Sequence, residues 1–421
     1  MRPHRTLTAR GACMLAFGLV ALVAGLIVGQ REIVGVGVLL VTVPPLSALT
    51  VLGAVSRLAH SRTVTPARVR AGHDARVQVR VGNSSPTWPV ASVSVSDTLP
   101  VPLGAEPRYT VGYLGPRAVR DVSYLVRPAV RGSYLLGPLQ VGVTDPLGCV
   151  RISRRVGAPS PLLVTPATVP LGALGAADGA KGDDSPRRSV SGAGDQDPVP
   201  REYRYGDDLR RVHWRSTAKH GELMVRREEQ HWRENSAVLL DTRRRAHGPA
   251  GPAGSLETAV SVAASVAVNL LGSGHDLRFH TERGRVRTAT PAGVLDGLAV
   301  TEPSDTTGLL GGIGTLADSR GSTSLVVAVL GAVVPEEAAA LSRTGVGGVR
   351  AAVLCAHAAW PDQGVLGRVR DVLATAGWRV IVLSSTTELP PLWSHATGSA
   401  TAASTARTAH AGSHTPGRGP R

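Results

Sequence analysis

Residues 12–29, "ACMLAFGLVALVAGLIVG", carry no charge, and neither do residues 33–56, "IVGVGVLLVTVPPLSALTVLGAVS". Each run approaches the ~20 apolar residues that an α-helix needs to cross a bilayer. Only Gln30, Arg31 and Glu32 separate them. Arg2, Arg5 and Arg10 also suit the basic start of a signal peptide. A second apolar run follows at once, however, so cleavage between the two would be awkward. The expectation is a two-helix transmembrane hairpin over residues 1–60. Arg57, Arg62, Arg68 and Arg70 follow it, whereas the connection between the runs has no net charge. The positive-inside rule then leaves both ends, and all that follows, in the cytoplasm, anchored to the cell membrane. Pro44-Pro45 should kink or break the second helix, because neither imide can donate a backbone hydrogen bond.

From residue 61 to 168 the apolar period is two. In "DARVQVRV" (74–81), Ala75, Val77, Val79 and Val81 alternate with polar residues, and Val122, Tyr124, Val126 and Leu139, Val141, Val143 repeat the pattern. Turn signals such as "GNSSP", "LGPRA" and "TDPLG" fall between these runs. Short alternating strands with regular turns predict an antiparallel β-sandwich. Residues 169–198 are rich in Gly, Ala, Ser and Asp without an apolar period, as expected of a flexible linker. From 199 to 388 the pattern becomes strand–helix alternation. Strands are expected at 236–241, 276–280, 323–331, 349–355 and 378–384, and helices at 256–274, 335–343 and 364–376. Continuous apolar strands alternating with helices imply an α/β domain with a mostly parallel sheet. Residues 389–421 are expected to form a disordered tail.

With aromatics at 3% of 421 residues, the cores must be built from Val, Leu and Ala. The formal net charge of +15 suits anionic lipid, nucleic acid or acidic proteins, or reflects only an Arg-rich composition. Cys13, Cys149 and Cys355 are scattered, which makes a disulfide framework or a zinc site improbable.

Scarce aromatics crowd into residues 201–227, "REYRYGDDLRRVHWRSTAKHGELMVRR". Arg201, Arg204, Arg210, Arg211, Arg215 and Lys219, interleaved with Tyr203, Tyr205 and Trp214, could grip single-stranded nucleic acid. Three acids interrupt that pattern and no nucleic-acid module surrounds it. Asp207, Asp208 and His213 could do acid–base or metal chemistry, and Asp207 and His213 with Asp241 would make a metal-dependent hydrolase. Against this, no G-x-S-x-G, Walker loop or H-E-x-x-H is present. A docking segment fits better. Gly206 supplies a turn, Asp207 or Asp208 caps a helix, and Leu209 with Val212 and Trp214 with Ala218 share faces on it. Gly221 ends the helix and a strand follows. Arg201 with Asp207 or Glu202 can pin the segment down.

These residues closely resemble the defining segment of the domain of unknown function 58 family. The matching positions are Arg201, Tyr203, Gly206, Asp207, Arg210, Trp214, Ala218 and Leu223; Lys219 stands where the family more often has Arg. The resemblance extends to the layout, with a membrane hairpin, a β-rich domain ending in "DPLG" (145–148) and a last α/β domain. It implies a von Willebrand factor A-like last domain. It also implies membrane-tethered adaptor or assembly work beside MoxR-type AAA+ ATPases and transglutaminase-like membrane proteins, with no catalysis and no cofactor. Von Willebrand A domains often hold a divalent cation through D-x-S-x-S after the first strand. Here that place reads "DTRRR" (241–245), so Asp241 is kept while Arg243 and Arg245 replace the serines. Guanidinium cannot ligate a cation. The expectation is therefore no metal. Instead, Arg243, Arg244 and Arg245 with Asp241 either grip a partner's carboxylates or form a solvated loop in which a local hydrogen bond or ion pair holds Asp241.

Overall fold

The computed structural model describes residues 4–172, 200–203, 212, 214–226, 234–249, 251–286, 290–317, 323–344 and 348–397. The two apolar runs form α1 (Ala9–Val28) and α2 (Arg31–Ser56), joined through Gly29 in the left-handed region at φ 74°. Both are long and apolar enough to cross a membrane. Glycines let them approach closely. A Cβ on Gly18 would lie 2.8 Å from Leu40 Cβ, and one on Gly37 only 2.5 Å from the Leu22 nitrogen. Pro44 and Pro45 do not break α2, which runs through both.

The first residues are more than a prelude to the hairpin. His4–Leu7 form strand β1, which pairs antiparallel with Val150–Val156, the tenth strand. Between them come β2 (Leu58–Thr65), β3 (Arg68–Arg70), β4 (Ala75–Asn83), β5 (Val90–Asp97) and β6 (Arg108–Leu114). Next are β7 (Val119–Val126), β8 (Gly132–Leu136), β9 (Leu139–Thr144), then β10 itself and β11 (Ser160–Thr165). The sheet orders are β1-β10-β9-β5-β6, β2-β4-β7 and β3-β11-β8. Val77, Val79 and Val81 of β4 face a shared core with Val93, Val95, Val141 and Val143, while Arg76, Gln78 and Arg80 face outward. The pairing is antiparallel except for β3 with β11, which is parallel. Val51 and Ala54 at the end of α2 enter the same core, so hairpin and β-domain are one packed body.

The segment read as linker from residue 169 begins docked. The Val169 amide donates to Ser265 Oγ, and Asn269 donates to the carbonyls of Leu171 and Gly172. Residues 173–199 lie outside the described residues. The signature segment opens and closes in a two-stranded ribbon of β12 (Pro200–Glu202) and β13 (Met224–Arg226), with α3 (Trp214–His220) between them.

The α/β domain follows with β14 (Asn235–Leu240), α4 (Ser255–Gly272), β15 (Asp276–Thr281), β16 (Gly284–Val286), α5 (Pro291–Ala299) and α6 (Leu310–Ala317). It is completed by β17 (Thr323–Leu330), α7 (Pro335–Ser342), β18 (Val349–Cys355), α8 (Gln363–Thr375), β19 (Arg379–Leu383) and α9 (Leu389–Thr397). The sheet order is β16-β15-β14-β17-β18-β19, parallel except for β16. In order of appearance this is 3-2-1-4-5-6, the doubly wound order, whose switch point lies between β14 and β17. Both faces are covered. Val238 and Leu240 pack with α4, α5 and α9, whereas Ala237 and Leu239 pack with α6, α7 and α8. α4 is apolar enough to span a membrane, yet it is buried in this core. The expected tail starts too early: α9 occupies residues 389–397 and its Trp393 is fully buried.

Two arginines join the two domains: Arg68 of β3 donates to the Ala292 carbonyl (3.0 Å) and pairs with Asp296 of α5 (2.9 Å), and Arg131 makes the buried link. Arg131, in the turn before β8, is buried. It donates through Nε to the Leu298 carbonyl (2.9 Å), through Nη2 to Thr301 (2.8 Å) and through Nη1 to Glu257 of α4.

Candidate functional site

Strands β14 and β17 end side by side at the switch point, where doubly wound sheets place their sites. Asp241 follows β14 directly and its amide donates to the Val329 carbonyl at 2.9 Å, which keeps it aligned with β17. Its carboxylate is fully buried. There Arg243 turns inward, with only 1% of its side chain exposed. Its Nε donates to Asp241 Oδ1 and its Nη2 to Asp241 Oδ2, both at 2.9 Å, a bidentate fork. Nη1 reaches Glu337 Oε1 at 2.8 Å. Burial opposes the guanidinium's charge, but the Asp241 hydrogen bonds and the charges of Asp241 and Glu337 outweigh it and raise the Arg243 pKa.

The surroundings are equally committed. Glu337 also accepts from the Leu309 amide at 2.9 Å and, at the start of α7, from the Val334 amide at 3.3 Å. Glu282, after β15, accepts from the Thr242 amide and hydroxyl. Burial pushes the Glu282 carboxyl up, but the hydrogen bonds from Thr242 outweigh it and hold the pKa below the usual carboxylate range. The loop carrying Arg243 is clamped by reciprocal bonds: the Arg244 amide to the Ser304 carbonyl and the Ser304 amide to Thr242, both 2.7 Å.

The expected grip on a partner is thus corrected for two of its four residues. Arg243 and Asp241 spend their charges on each other inside the domain, because the guanidinium lies between two buried carboxylates. Arg243 holds both oxygens of the Asp241 carboxylate, so a cation there would have to compete with that fork. Arg244 and Arg245 are exposed as expected, and Arg244 pairs with the equally exposed Asp305 at 2.9 Å. Beside them, Thr242, Thr281, Arg283, Arg285 and Glu302 border a cleft of about 340 Å³. Sequence reasoning missed Arg283 and Arg285, although their place just after a strand that ends at the same edge was the available signal. Among the described residues, no group of three or more His, Cys, Asp or Glu side chains is placed to hold a metal ion.

His247 closes the back of the site. Its Nε2 must donate to the Asp241 carbonyl (2.8 Å), so in the neutral ring Nδ1 accepts from Ser255 Oγ (3.0 Å). Burial lowers its pKa. Unfolding therefore binds a proton in the acid range, and the stability this neutral ring contributes is present above ~6.5, the usual imidazole value, and lost below it. Buried His280 is lowered in the same direction, by desolvation first and then by Arg285 and Arg278. The melting temperature should fall between about pH 7 and pH 5, and His247→Gln should flatten that slope. Calorimetry showing no slope would contradict a buried neutral imidazole.

Within the signature segment, Arg204, Tyr205, Gly206, Asp207, Asp208, Leu209, Arg210, Arg211 and His213 lie outside the described residues, as does the Arg201 side chain. The proposed caps, the Arg201 ion pair and two members of the hydrolase set fall there. Val212 does not share a helix with Leu209 as expected. It bridges antiparallel to Val225, and α3 starts only at Trp214. Trp214 is 70% exposed and Leu223 41%, and Ala218 is exposed too, so this face is presented rather than packed. Gly221 ends α3 at φ 77°, and the Tyr203 amide donates to the Leu223 carbonyl at 2.8 Å.

Residues 200–334 match the family model described as protein of unknown function DUF58. This part of the chain is a DUF58 segment. It covers the ribbon, α3 and the sheet from β14 to β17, so it contains both Arg243 and its clamp at Ser304. No curated protein matches. Among solved structures, the chain is similar to the CARDB domain of the PF1109 protein of Pyrococcus furiosus, crystallised in complex with di-metal ions. The identity is 20%, over 25% of this chain and 91% of that one, with a TM-score of 0.19. The solution structure of the same domain gives 18%, 26%, 94% and 0.19. The Pseudomonas fluorescens alkylpurine DNA glycosylase AlkC bound to abasic-site DNA gives 17%, 28%, 33% and 0.17. Scores this low carry no functional argument.

Proposed function

We propose that the protein is a membrane-anchored, non-catalytic adaptor whose α/β domain offers a cationic edge to acidic protein partners on the cytoplasmic face. A MoxR-type AAA+ ATPase is the first candidate partner and a transglutaminase-like membrane protein the second. One observation carries the reading: of three consecutive arginines at the switch point, Arg243 is locked inside while Arg244 and Arg245 face out. We read the domain as von Willebrand A-like, a reading that the 3-2-1-4-5-6 strand order supports. In that reading Arg243 supplies within the protein the positive charge that a bound cation supplies elsewhere. The edge then recognises carboxylates by guanidinium forks, with Arg283 and Arg285 extending it along the cleft. The Arg244–Asp305 pair is no obstacle, since exposed ion pairs are worth little and exchange readily. Exposed Trp214 adds an aromatic anchor of the kind that dominates protein interfaces.

Affinity purification from native membranes tests the proposal. Arg244→Glu with Arg245→Glu should abolish capture of the ATPase, and Trp214→Ala should weaken it separately. Unchanged capture by the double variant would sink the cationic-edge reading. Turnover of a defined substrate by the purified chain would sink the non-catalytic one.

A further inference from the structure

The "DPLG" turn has no part in the α/β site, and its setting is specific. Asp145 is buried and its carboxylate accepts from the Leu147 amide (3.1 Å) and the Val150 amide (2.6 Å). Gly148 takes φ 72°. The turn is pinned against the start of α1. The Thr8 hydroxyl donates to the Gly148 carbonyl, and a Cβ on Gly11 would lie 2.3 Å from the Cys149 oxygen.

Helix lengths place this turn in depth. At ~1.5 Å per residue, the 20 residues of α1 match the ~30 Å of a bilayer's hydrocarbon core. The 26 residues of α2 exceed that core by about six residues, or ~9 Å. Because the helices share the Gly29–Gln30 turn at one face, the surplus emerges at the other, as residues 51–56. Val51 and Ala54 therefore sit at headgroup depth, with Thr50 at its boundary. They line a cleft of about 580 Å³ together with Pro89, Tyr113 and Pro146. Around it, Trp88 is 68% exposed, Tyr113 62% and Leu147 56%. Trp88 and Tyr113 are the only large aromatics of the β-domain in which exposure exceeds half, among the described residues. Both lie at its helix end. Tryptophan and tyrosine favour this layer, where the ring is apolar and its edge polar. The Arg10 guanidinium, 3.4 Å from where a Gly148 Cβ would be, adds a cation for lipid phosphate.

We infer that this end of the β-domain is itself a bilayer-binding surface, with Leu147 at the tip of the "DPLG" turn, Trp88 and Tyr113 seated among phospholipid headgroups. The β-domain then lies fixed on the membrane rather than hanging from a tether, and it holds the cationic edge of the α/β domain at a set height through Arg68 and Arg131. The inference rests on α1 and α2 crossing the membrane but not on the adaptor reading.

The test uses the full chain in vesicles of phosphatidylethanolamine and phosphatidylglycerol, with a nitroxide label on one exposed cysteine at a time, Cys149 and Cys355 being buried. Native Cys13, exposed on α1, reports whether the hairpin is inserted. In a Cys13→Ser background, labels at Leu147→Cys and Trp88→Cys should be more accessible to oxygen than to a water-soluble nickel chelate. A label at Val101→Cys, 91% exposed in the turn between β5 and β6, should show the reverse. Water-like accessibility at 147 and 88, with an inserted Cys13, overturns the bilayer-binding surface alone. A water-exposed Cys13 overturns the membrane spans and this inference together.

Discussion

Arg243→Ala should destabilise the α/β domain by about 3–5 kcal/mol, the usual result of removing one partner from a buried ion pair. The loss is large because the guanidinium answers two carboxylates. Without it Asp241 and Glu337 face each other across a dry space, each still tied to backbone amides that prefer it charged. Domains have only ~5–15 kcal/mol to lose. Two buried thiols make the effect local and measurable. Cys355 ends β18 in the α/β core and Cys149 sits in the β-domain core, both fully buried, and burial pushes the Cys355 pKa up to about 12. In mild denaturant, labelling of Cys355 should accelerate by roughly two to three and a half orders of magnitude, at ~1.4 kcal/mol per tenfold, while Cys149 keeps its rate. Arg243→Lys should fall between, since an ammonium keeps the charge and loses the fork. Pairing Arg243→Met with Asp241→Asn should recover much of the loss, because it removes one uncompensated charge. A Cys355 rate unchanged in Arg243→Ala would mean that the triad contributes nothing to stability.

The inward turn of Arg243 marks the limit of what the sequence discloses. Asp241 was legible as the residue ending the first strand of the sheet, because "SAVLLD" is an apolar run closed by a carboxylate. An arginine two residues on reads as solvated, and only the tertiary fold brings Glu337 to it. Glu337 itself reads locally as the third residue of a helix that caps its own start, which conceals its second role. The β-domain was open to inspection because valines alternate with arginines in β4, but no local pattern announces that His4–Leu7 will leave the hairpin to pair with β10. The helices α5, "PAGVLDGLA", and α6, "LGGIGTLA", escaped notice because their glycines read as loop. Packing decides there: Gly312 lets α6 approach β15 so closely that a Cβ would sit 2.8 Å from the Thr281 oxygen.

Trp393→Ala is the second large effect, expected at about 3–5 kcal/mol, as for truncation of a fully buried aromatic. "LPPLWSHAT" falls within the expected tail, and two prolines follow its first residue. Pro390 and Pro391, however, occupy the first turn of α9, where a helix has no use for their missing amides and their fixed φ is already helical. The helix then drops Leu389, Trp393 and Ala396 onto the core shared with Cys355, Ile381 and Leu383. A tail residue would move nothing when truncated, so the two readings separate cleanly. Trp393→Ala should expose Cys355 to labelling as Arg243→Ala does, again sparing Cys149, whereas removal of residues 401–421 should leave both rates alone. The two substitutions act on opposite faces of one sheet and share no contact, so their costs should add in the double variant. Addition would show that the sheet carries both the buried charge at its switch point and the last helix behind it as one cooperative unit.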